Sequence, residues 1–359
     1  MNITIVGGGN IGTQFAVHCA VAKHEVTIYS SHPEKFQKHL IIVNSNREII
    51  LEGDIKEATS DPKTAFISAD VIFVTIPASG MENIAMKILP FAHSGMKIGI
   101  IPGTGGGECA FQKFLEKGVV IFGLQRVPSV ARLIEYGRCV CATGYRDKLF
   151  SAALPHMYCL DCCSIISDIF DIPCSNLPNY LNLTMTPSNP ILHTTRLYTL
   201  FKRYELSKHY SAVPLFYEDW DNETSVLLLK CDDEVQKICN ALIEFNLSYV
   251  KSLRIHYESD TPEKLTKKLA SIAGFRGIKV PMISVNNGFI PDFNSRYFTA
   301  DFPYGISILV QIAEFVGVDT PNMKLVWQWY REITVDNESF SYAHYGIRNI
   351  ETLKEFYKR

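Results

Sequence analysis

The chain has 359 residues, of which 47% are hydrophobic and 20% are charged, and its formal net charge is −2. A chain of this length and composition can bury a large apolar core and favours two globular domains. The nearly neutral charge and the lack of a dense Lys/Arg run argue against nucleic acid as a partner and favour a small metabolite.

The N-terminus and the cysteines indicate the compartment. The opening MNITIVGGGNIG enters an apolar strand without a basic leader, and no window offers 18 uninterrupted apolar residues, so we expect a cytoplasmic protein with no membrane partner. The ten cysteines are then reduced thiols. The densest group is Cys159, Cys162, Cys163 and Cys174, but no second spaced CxxC or His pair completes a metal site, so we expect no metal and interpret these thiols as small core residues.

The first thirty residues predict a βαβ unit. The run NITIV at 2–6 predicts a strand, Thr13–Lys23 a helix and Glu25–Tyr29 a second strand. The connection fits G-x-G-x-x-G, in which the first glycine allows the tight turn, the second the approach of a pyrophosphate and the third the packing of helix on strand. The phosphates would lie at the helix N-terminus. The expected cofactor-binding residues of this loop are Gly7, Gly9, Asn10, Ile11 and Gly12.

The end of the second strand bears on the choice of dinucleotide. An acidic residue there binds the ribose 2′-hydroxyl and repels a 2′-phosphate, and the segment YSSHPEK at 29–35 has no carboxylate at the strand tip. The hydroxyls of Ser30 and Ser31 and the ammonium of Lys35 can accept a phosphate. We therefore predict NADP, and NAD remains the alternative if this turn has no discriminating role.

Later strands predict the remainder of the first domain. The segment 40–53 resembles a hairpin inserted in the parallel sheet, which then resumes with strands at 70–77 and 97–102. Since ligands bind at the carboxyl ends of such strands, Pro77 and Ala78 are expected at the cofactor and Thr104, in the glycine-rich loop at 102–107, at the substrate.

The predicted secondary structure becomes mainly helical after about residue 178. Further strands are predicted at 119–124 and 138–143, whereas amphipathic helical patterns follow at 193–204, 234–245, 261–273 and 305–316. We predict an α/β protein with a Rossmann-type dinucleotide-binding domain over 1–178 and a mainly helical domain over 179–359.

The stretch TPSNPILHTTRL places a histidine close behind a helix start signal. Ser188 or Asn189 is expected to cap the helix, with Pro190 in its first turn and His193 soon after. A histidine is suited to proton exchange near neutral pH. The alternative is a histidine whose two nitrogens merely satisfy a domain junction.

Four segments of the chain together resemble the opine dehydrogenases, the octopine/nopaline dehydrogenase family, over essentially its whole length. They are the glycine loop, the PGTGG loop at 102–106, SNPILH at 188–193 and RYFTADFPYG at 296–305. The resemblance implies reductive condensation of a 2-oxo acid with the amino group of an amino acid. It also implies that His193 and Asp301 form the catalytic dyad, with Asp301 otherwise a helix cap ahead of Pro303.

The substrate carboxylates call for cationic and polar side chains. Arg296 is the expected fork for one carboxylate, and Arg126 and Arg132 are weaker candidates for the other; a surface ion pair is the alternative for each arginine. Gln125 is a further candidate for substrate binding. The chain departs from the family at Ala300, where glutamate is expected. It also carries Gln125-Arg126 where relatives that use a cationic amino acid can carry an acid, so a guanidinium-bearing amine is less attractive.

Two other functions stay open. One is reduction of a simple 2-oxo acid by a ketopantoate reductase-like enzyme, which would rely on a lysine in the helical domain. The other is a dinucleotide-binding sensor that makes no product. The segment Trp327–Tyr330 suits either the domain core or a helix interface in a homodimer.

Overall fold

The structure, a computed structural model, describes residues 1–205, 207–334 and 338–359. It consists of two compact units. The first contains Met1–Thr184 together with Lys354–Arg359, and the second contains Met185–Leu353.

The first unit is built on twelve strands in two sheets. The strands are β1 Asn2–Val6, β2 Glu25–Tyr29, β3 His39–Val43, β4 Ile49–Asp54, β5 Glu57–Thr59, β6 Val71–Val74, β7 Lys97–Ile100, β8 Val120–Leu124, β9 Val130–Glu135, β10 Cys139–Thr143, β11 Leu149–Leu154 and β12 Cys174–Asn176. The larger sheet has the order β12-β11-β8-β7-β6-β1-β2-β5, and all its pairs are parallel except β8 with β11. The Rossmann-type α/β prediction is confirmed, although the antiparallel β11 was not predicted.

The hairpin at 40–53 forms, but its predicted place in the parallel sheet is wrong. Strands β3 and β4 belong to a separate sheet of order β4-β3-β10-β9. The physical reason lies in how closely this sheet approaches the first helix. A Cβ on Gly53 would lie 2.8 Å from that of Ala20, and Leu40 and Ile42 are fully buried. The small sheet therefore covers the helix that follows β1.

Seven helices complete the first unit. They are α1 Asn10–Val21, α2 Pro62–Phe66, α3 Met81–Ile88, α4 Gly107–Ala110, α5 Gln112–Leu115, α6 Cys159–Phe170 and α7 Leu181–Thr184. Helix α1 begins three residues before the predicted Thr13, because the glycine loop itself winds into its first turn. It ends before Lys23, whose φ of 63° is left-handed.

The second unit is mainly helical, as predicted. Its helices are α8 Ser188–Phe201, α9 Asn222–Ala241, α10 Leu253–His256, α11 Pro262–Ser271, α12 Arg296–Thr299, α13 Ser307–Val316 and α14 Pro321–Ile333, and α15 Ile350–Tyr357 continues into the segment that belongs to the first unit. A hairpin of β13 Met282–Val285 and β14 Gly288–Pro291 lies among them. Residues Phe302–Ile306 form a π-helical turn ahead of α13.

The aromatic segment Trp327–Tyr330 is partly buried in this unit. Trp329 and Tyr330 are buried, which favours the core interpretation for them, while Trp327 is half-buried. Across the described residues, no helix combines the length and apolar character needed to span a membrane.

Candidate active site

The glycine loop after β1 has the geometry that its three glycines were expected to provide. Gly7 has a φ of +94°, and its N–H donates to the Tyr29 carbonyl at 3.0 Å. A Cβ on Gly12 would lie 1.8 Å from the Gly7 carbonyl oxygen, whereas one on Gly9 would meet no atom within 4 Å. The first and third glycines thus allow the turn and the packing, and the second opens onto free space.

The N-terminus of α1 fits the pyrophosphate of a dinucleotide. Its cap residue is Gly9, which has no side chain to occupy the first-turn amides, and the first turn carries no acidic residue. An anion is therefore favoured by the free N–H groups and by the helix dipole. Asn10 has a structural task as well, because its Oδ1 accepts from the Leu133 N–H at 2.7 Å. Ile11 is half-buried and packs against the core.

The turn after β2 uses its two serines differently. Ser30 is buried, and its Oγ accepts from the His32 N–H and lies 3.1 Å from the Tyr136 hydroxyl. Ser31 and Lys35 are exposed. Ser30 therefore stabilises the turn, whereas Ser31 and Lys35 present their polar ends to solvent.

The other residues expected in the first unit follow consecutive parallel strands. Pro77 and Ala78 come after β6, Thr104 after β7, and Gln125 and Arg126 directly after β8. Since these strands pair in parallel, their carboxyl ends share one edge of the sheet. Arg132 differs, because it lies on β9 of the small sheet and donates to the Ala131 carbonyl at 3.1 Å.

His193 and Asp301 lie side by side in the second unit although 108 positions separate them. The His193 Nδ1 is 2.8 Å from the Asp301 Oδ2. The His193 side chain is 7% exposed and that of Asp301 is 18% exposed. Because a carboxylate can only accept a hydrogen bond, Nδ1 carries the hydrogen in this contact, which selects one tautomer of the neutral ring.

Two local features bring the pair together. The Cβ of a residue other than glycine at 305 would lie 3.2 Å from Pro190, so Gly305 allows the π-helical turn to approach α8 closely. Asp301 occupies the cap position of that turn, but its side chain makes no cap hydrogen bond and contacts His193 instead. The alternative of a capping Asp301 is therefore not the arrangement in the structure.

The predicted cap of α8 is wrong. Ser188 and Asn189 lie inside the first turn, and the residue before the helix is Pro187, whose side chain has no polar atom. A proline at that position and another at 190 start the helix by restricting the backbone, which needs no side-chain acceptor.

The other ring nitrogen of His193 contacts a residue that sequence reasoning missed. Its Nε2 lies 3.0 Å from the Tyr217 hydroxyl, and Tyr217 is buried. Tyr297 and Phe216 meet the imidazole edge to face, with ring centroids 4.7 Å and 5.4 Å away. Tyr217 lies in an irregular segment between α8 and α9, where no periodic pattern or motif distinguishes it.

Arg296 is exposed at the first position of α12, five residues before Asp301. Within the described ranges it forms no ion pair, so the surface-pair alternative is not seen there. Its guanidinium is available to a carboxylate, which it can bind through two parallel hydrogen bonds.

The cysteine-rich segment lies in the core of the first unit. Cys159, Cys162 and Cys163 on α6 are buried, and burial raises the pKa of the Cys162 thiol. The ten cysteines are free thiols. No group of three potential metal ligands occurs in the part of the chain that the structure describes.

Two family models match the chain. The helical domain of the NAD/NADP octopine/nopaline dehydrogenases matches residues 176–334, and the N-terminus of the NAD-dependent glycerol-3-phosphate dehydrogenases matches residues 2–106.

Known proteins match over nearly the full length. Tauropine dehydrogenase of Arabella iricolor is 24% identical over 92% of this chain and 91% of the relative. Opine dehydrogenase of Haliotis discus hannai is 27% identical over 94% and 92%, respectively. A solved structure of octopine dehydrogenase with NADH and L-arginine superposes with a TM-score of 0.85, at 21% identity, over 98% of this chain and 97% of the other. With the two family models, these matches show that residues 176–334 carry the helical domain of the octopine/nopaline dehydrogenases and that the chain is a nicotinamide-dependent oxidoreductase of the opine dehydrogenase type.

Proposed function

We propose that the protein condenses a 2-oxo acid with the amino group of an amino acid and reduces the resulting imine, with His193 and Asp301 as the acid/base pair. The observation that carries this proposal is the 2.8 Å contact between His193 Nδ1 and Asp301 Oδ2. The reaction needs a group that takes a proton from the ammonium of the amino acid and later gives one to the departing oxygen. A histidine held by a carboxylate suits both steps.

Each residue of the pair has a distinct part. Asp301 accepts from Nδ1–H, which fixes the tautomer and stabilises the imidazolium when His193 takes up a proton. The proton is then taken up and given back at Nε2. When bound, the dinucleotide supplies the hydride that reduces the imine carbon, while the protein contributes position and electrostatics.

The two substrate carboxylates call for separate partners. We assign one to Arg296, which is exposed and forms no ion pair with a described residue. Gln125, Arg126 and Thr104 are the candidates for the other, since they follow adjacent strands β7 and β8. Solved structures of octopine dehydrogenase hold NADH with L-arginine and with pyruvate. Because no acid stands at Gln125-Arg126, we expect a neutral amino acid rather than a guanidinium-bearing one here.

The test is a grid of amino acids against 2-oxo acids with NADH and NADPH, with mass spectrometry of the product. We expect a secondary amine with two carboxylates, and we expect His193→Ala and Asp301→Asn to lower kcat by about 10²- to 10⁴-fold. Dinucleotide binding should stay close to that of the wild type in both variants.

Two outcomes would contradict this function. Oxidation of the reduced cofactor by a 2-oxo acid at the full rate without any amine would indicate a ketopantoate reductase-like enzyme. A wild type that binds the dinucleotide but turns over no pair in the grid would indicate a sensor.

We further propose NADP as the preferred cofactor. The support is the lack of a carboxylate at the tip of β2 and the exposure of Ser31 and Lys35 beside it. Lys35→Ala should raise the KM for NADPH about tenfold or more and leave that for NADH nearly unchanged, because a charge-assisted hydrogen bond contributes roughly 1.5–3 kcal/mol. The exposed Lys38→Ala is the matched control. A wild type that uses NADH better than NADPH would overturn the assignment.

A further inference from the structure

We propose that the Tyr217 hydroxyl carries the proton between His193 and the reacting substrate, so that Asp301, His193 and Tyr217 form a three-member relay. This inference rests on the proposed condensation. It makes Tyr217 a catalytic residue that touches the substrate, whereas His193 acts through it.

The first step of the argument is that both nitrogens of His193 are already engaged. Nδ1 lies 2.8 Å from the Asp301 carboxylate and Nε2 lies 3.0 Å from the Tyr217 hydroxyl. Each imidazole nitrogen offers a single in-plane donor or acceptor site. A proton that passes between His193 and a substrate therefore has to pass through one of these two neighbours.

The second step fixes the direction of the hydrogen bonds. A carboxylate only accepts, so Nδ1 carries the hydrogen in the Asp301 contact. Nε2 of the neutral ring is then an acceptor, and the Tyr217 O–H donates to it. A hydroxyl has one donor and two lone pairs, so Tyr217 can accept a proton from a substrate while it passes its own to Nε2.

The third step is that the phenol ring is held in place. Tyr217 stacks on Phe275 with centroids 4.1 Å apart and an interplanar angle of 19°, and lies parallel to Trp220 at 6.1 Å. Such packing opposes a swing of the ring away from His193.

The backbone around Tyr217 is held as well. The buried guanidinium of Arg196 donates to the Phe216 carbonyl at 3.2 Å and to the Asp219 carbonyl at 2.6 Å. These carbonyls flank Tyr217 in sequence, and Arg196 follows His193 by one turn on α8. The hydroxyl therefore stays on Nε2 through anchors on both its ring and its backbone.

The relay returns to its starting protonation state over the condensation. The ammonium of the amino acid gives a proton to the Tyr217 oxygen as the phenol proton moves to Nε2, and this forms the free amine and the imidazolium. The amine attacks the carbonyl carbon, and an internal proton shift from nitrogen to oxygen gives a neutral carbinolamine. The relay then runs in reverse: Tyr217 protonates the hydroxyl, the C–O bond breaks with release of water, and the nitrogen lone pair forms the iminium that accepts hydride.

The test compares Tyr217→Phe with wild type. This variant removes the hydroxyl and keeps the ring that stacks on Phe275. We expect kcat to fall about 10²- to 10⁴-fold, with dinucleotide binding and the melting temperature close to those of the wild type. Tyr198→Phe is the matched control, since Tyr198 lies on α8 and packs on Trp329, and it should keep wild-type turnover.

The outcomes separate this inference from the proposed function. A Tyr217→Phe enzyme within about twofold of wild-type kcat, while His193→Ala shows its expected loss of about 10²- to 10⁴-fold, overturns the relay and leaves the condensation intact. A wild type inactive on every amine and oxo acid pair removes both.

A second measurement avoids any folding defect of the variant. Condensation by the wild type in mixtures of H2O and D2O should give a curved dependence of rate on deuterium content, because two protons move together. A linear dependence, or no isotope effect, counts against the relay.

Discussion

Glu108 and Asp301 are two acids with opposite surroundings. Asp301 is partly exposed and paired with a histidine, whereas Glu108 is fully buried in the first unit. The Glu108 Oε1 accepts from the Thr184 and Tyr357 hydroxyls, each at 2.6 Å, and its buried Oε2 has no described hydrogen-bond partner. Burial raises the pKa of the Glu108 carboxyl, and the two hydroxyl donors only partly oppose this effect.

The raised pKa of Glu108 predicts a pH-dependent stability. The folded chain holds the Glu108 proton more tightly than the unfolded chain does. The contribution of this proton to the free energy of unfolding is therefore fully present below the ordinary pKa of 4.5, and it is lost as pH rises through the higher pKa of the folded state. The Glu108→Gln side chain cannot ionise, so the stability of this variant should decrease less with rising pH than that of the wild type. The measurement is the melting temperature from mildly acidic to mildly basic buffer, with the exposed Glu116→Gln as control. Equal slopes for wild type and Glu108→Gln would contradict the argument.

Individual side chains of the site were predictable only where a motif carries them. The family resemblance named His193 and Asp301, which are in contact in the structure, and the glycine loop follows from its own spacing. Tyr217 is one of 17 tyrosines, and its sequence neighbours carry no signal that it meets His193. The contact depends on the Arg196 anchors, which are tertiary and leave no local pattern.

Helix ends show a similar division between local and distant causes. Helix α9 begins at Asn222, twelve residues before the predicted start, because Asp221 caps it by accepting from the Thr224 N–H at 2.7 Å. Asp221 is a local helix-start signal that a prediction from the apolar pattern alone does not take into account. Helix α14 has no such local cap. Its first amides donate to Glu234, 88 positions earlier on α9.

The distant cap of α14 predicts a large effect of one substitution. The buried Glu234 carboxylate accepts from the Asn322 N–H at 2.8 Å, the Asn322 Nδ2 at 2.6 Å and the Met323 N–H at 2.9 Å. Glu234→Ala leaves these donors without their acceptor and should lower the free energy of unfolding by about 2–4 kcal/mol. Urea unfolding measures the change.

A control on the same helix tests whether this loss is specific. Lys230 is exposed on α9, and Lys230→Ala should change the free energy of unfolding by less than about 0.5 kcal/mol. Equal unfolding midpoints for Glu234→Ala and Lys230→Ala would show that the carboxylate adds nothing to the stability of α14.

The order of strands along the chain predicts the class of fold but not every pairing. Alternating strand and helix patterns over the first hundred residues specify parallel neighbours, because a right-handed crossover allows few other solutions. The small sheet and the antiparallel β11 depend on which distant edge each strand meets. Strand β10 pairs with β3, which lies almost a hundred positions earlier. The alternation of apolar residues in a strand is the same in either sheet, so it does not predict which sheet the strand joins.

The last six residues, Lys354–Arg359, belong to the first unit, and nothing in their sequence indicates this. Phe356 and Tyr357 are each 2% exposed. The Tyr357 hydroxyl donates to Glu108, and the Arg359 carbonyl accepts from the His156 N–H at 3.1 Å. The segment therefore supplies two buried aromatic rings and two hydrogen bonds to the dinucleotide-binding unit.

Deletion of residues 354–359 should accordingly weaken the first unit. Each buried aromatic ring contributes about 1.5–3 kcal/mol, and the loss of the Tyr357 hydroxyl leaves the Glu108 carboxyl with a single donor. We expect a lower urea midpoint and weaker dinucleotide binding at elevated temperature, measured by cofactor fluorescence. Tyr357→Phe keeps the ring and removes only the hydroxyl, so its stability should lie between those of the wild type and the deletion. A deletion that unfolds and binds like the wild type would show that the segment lies on the first unit without stabilising it.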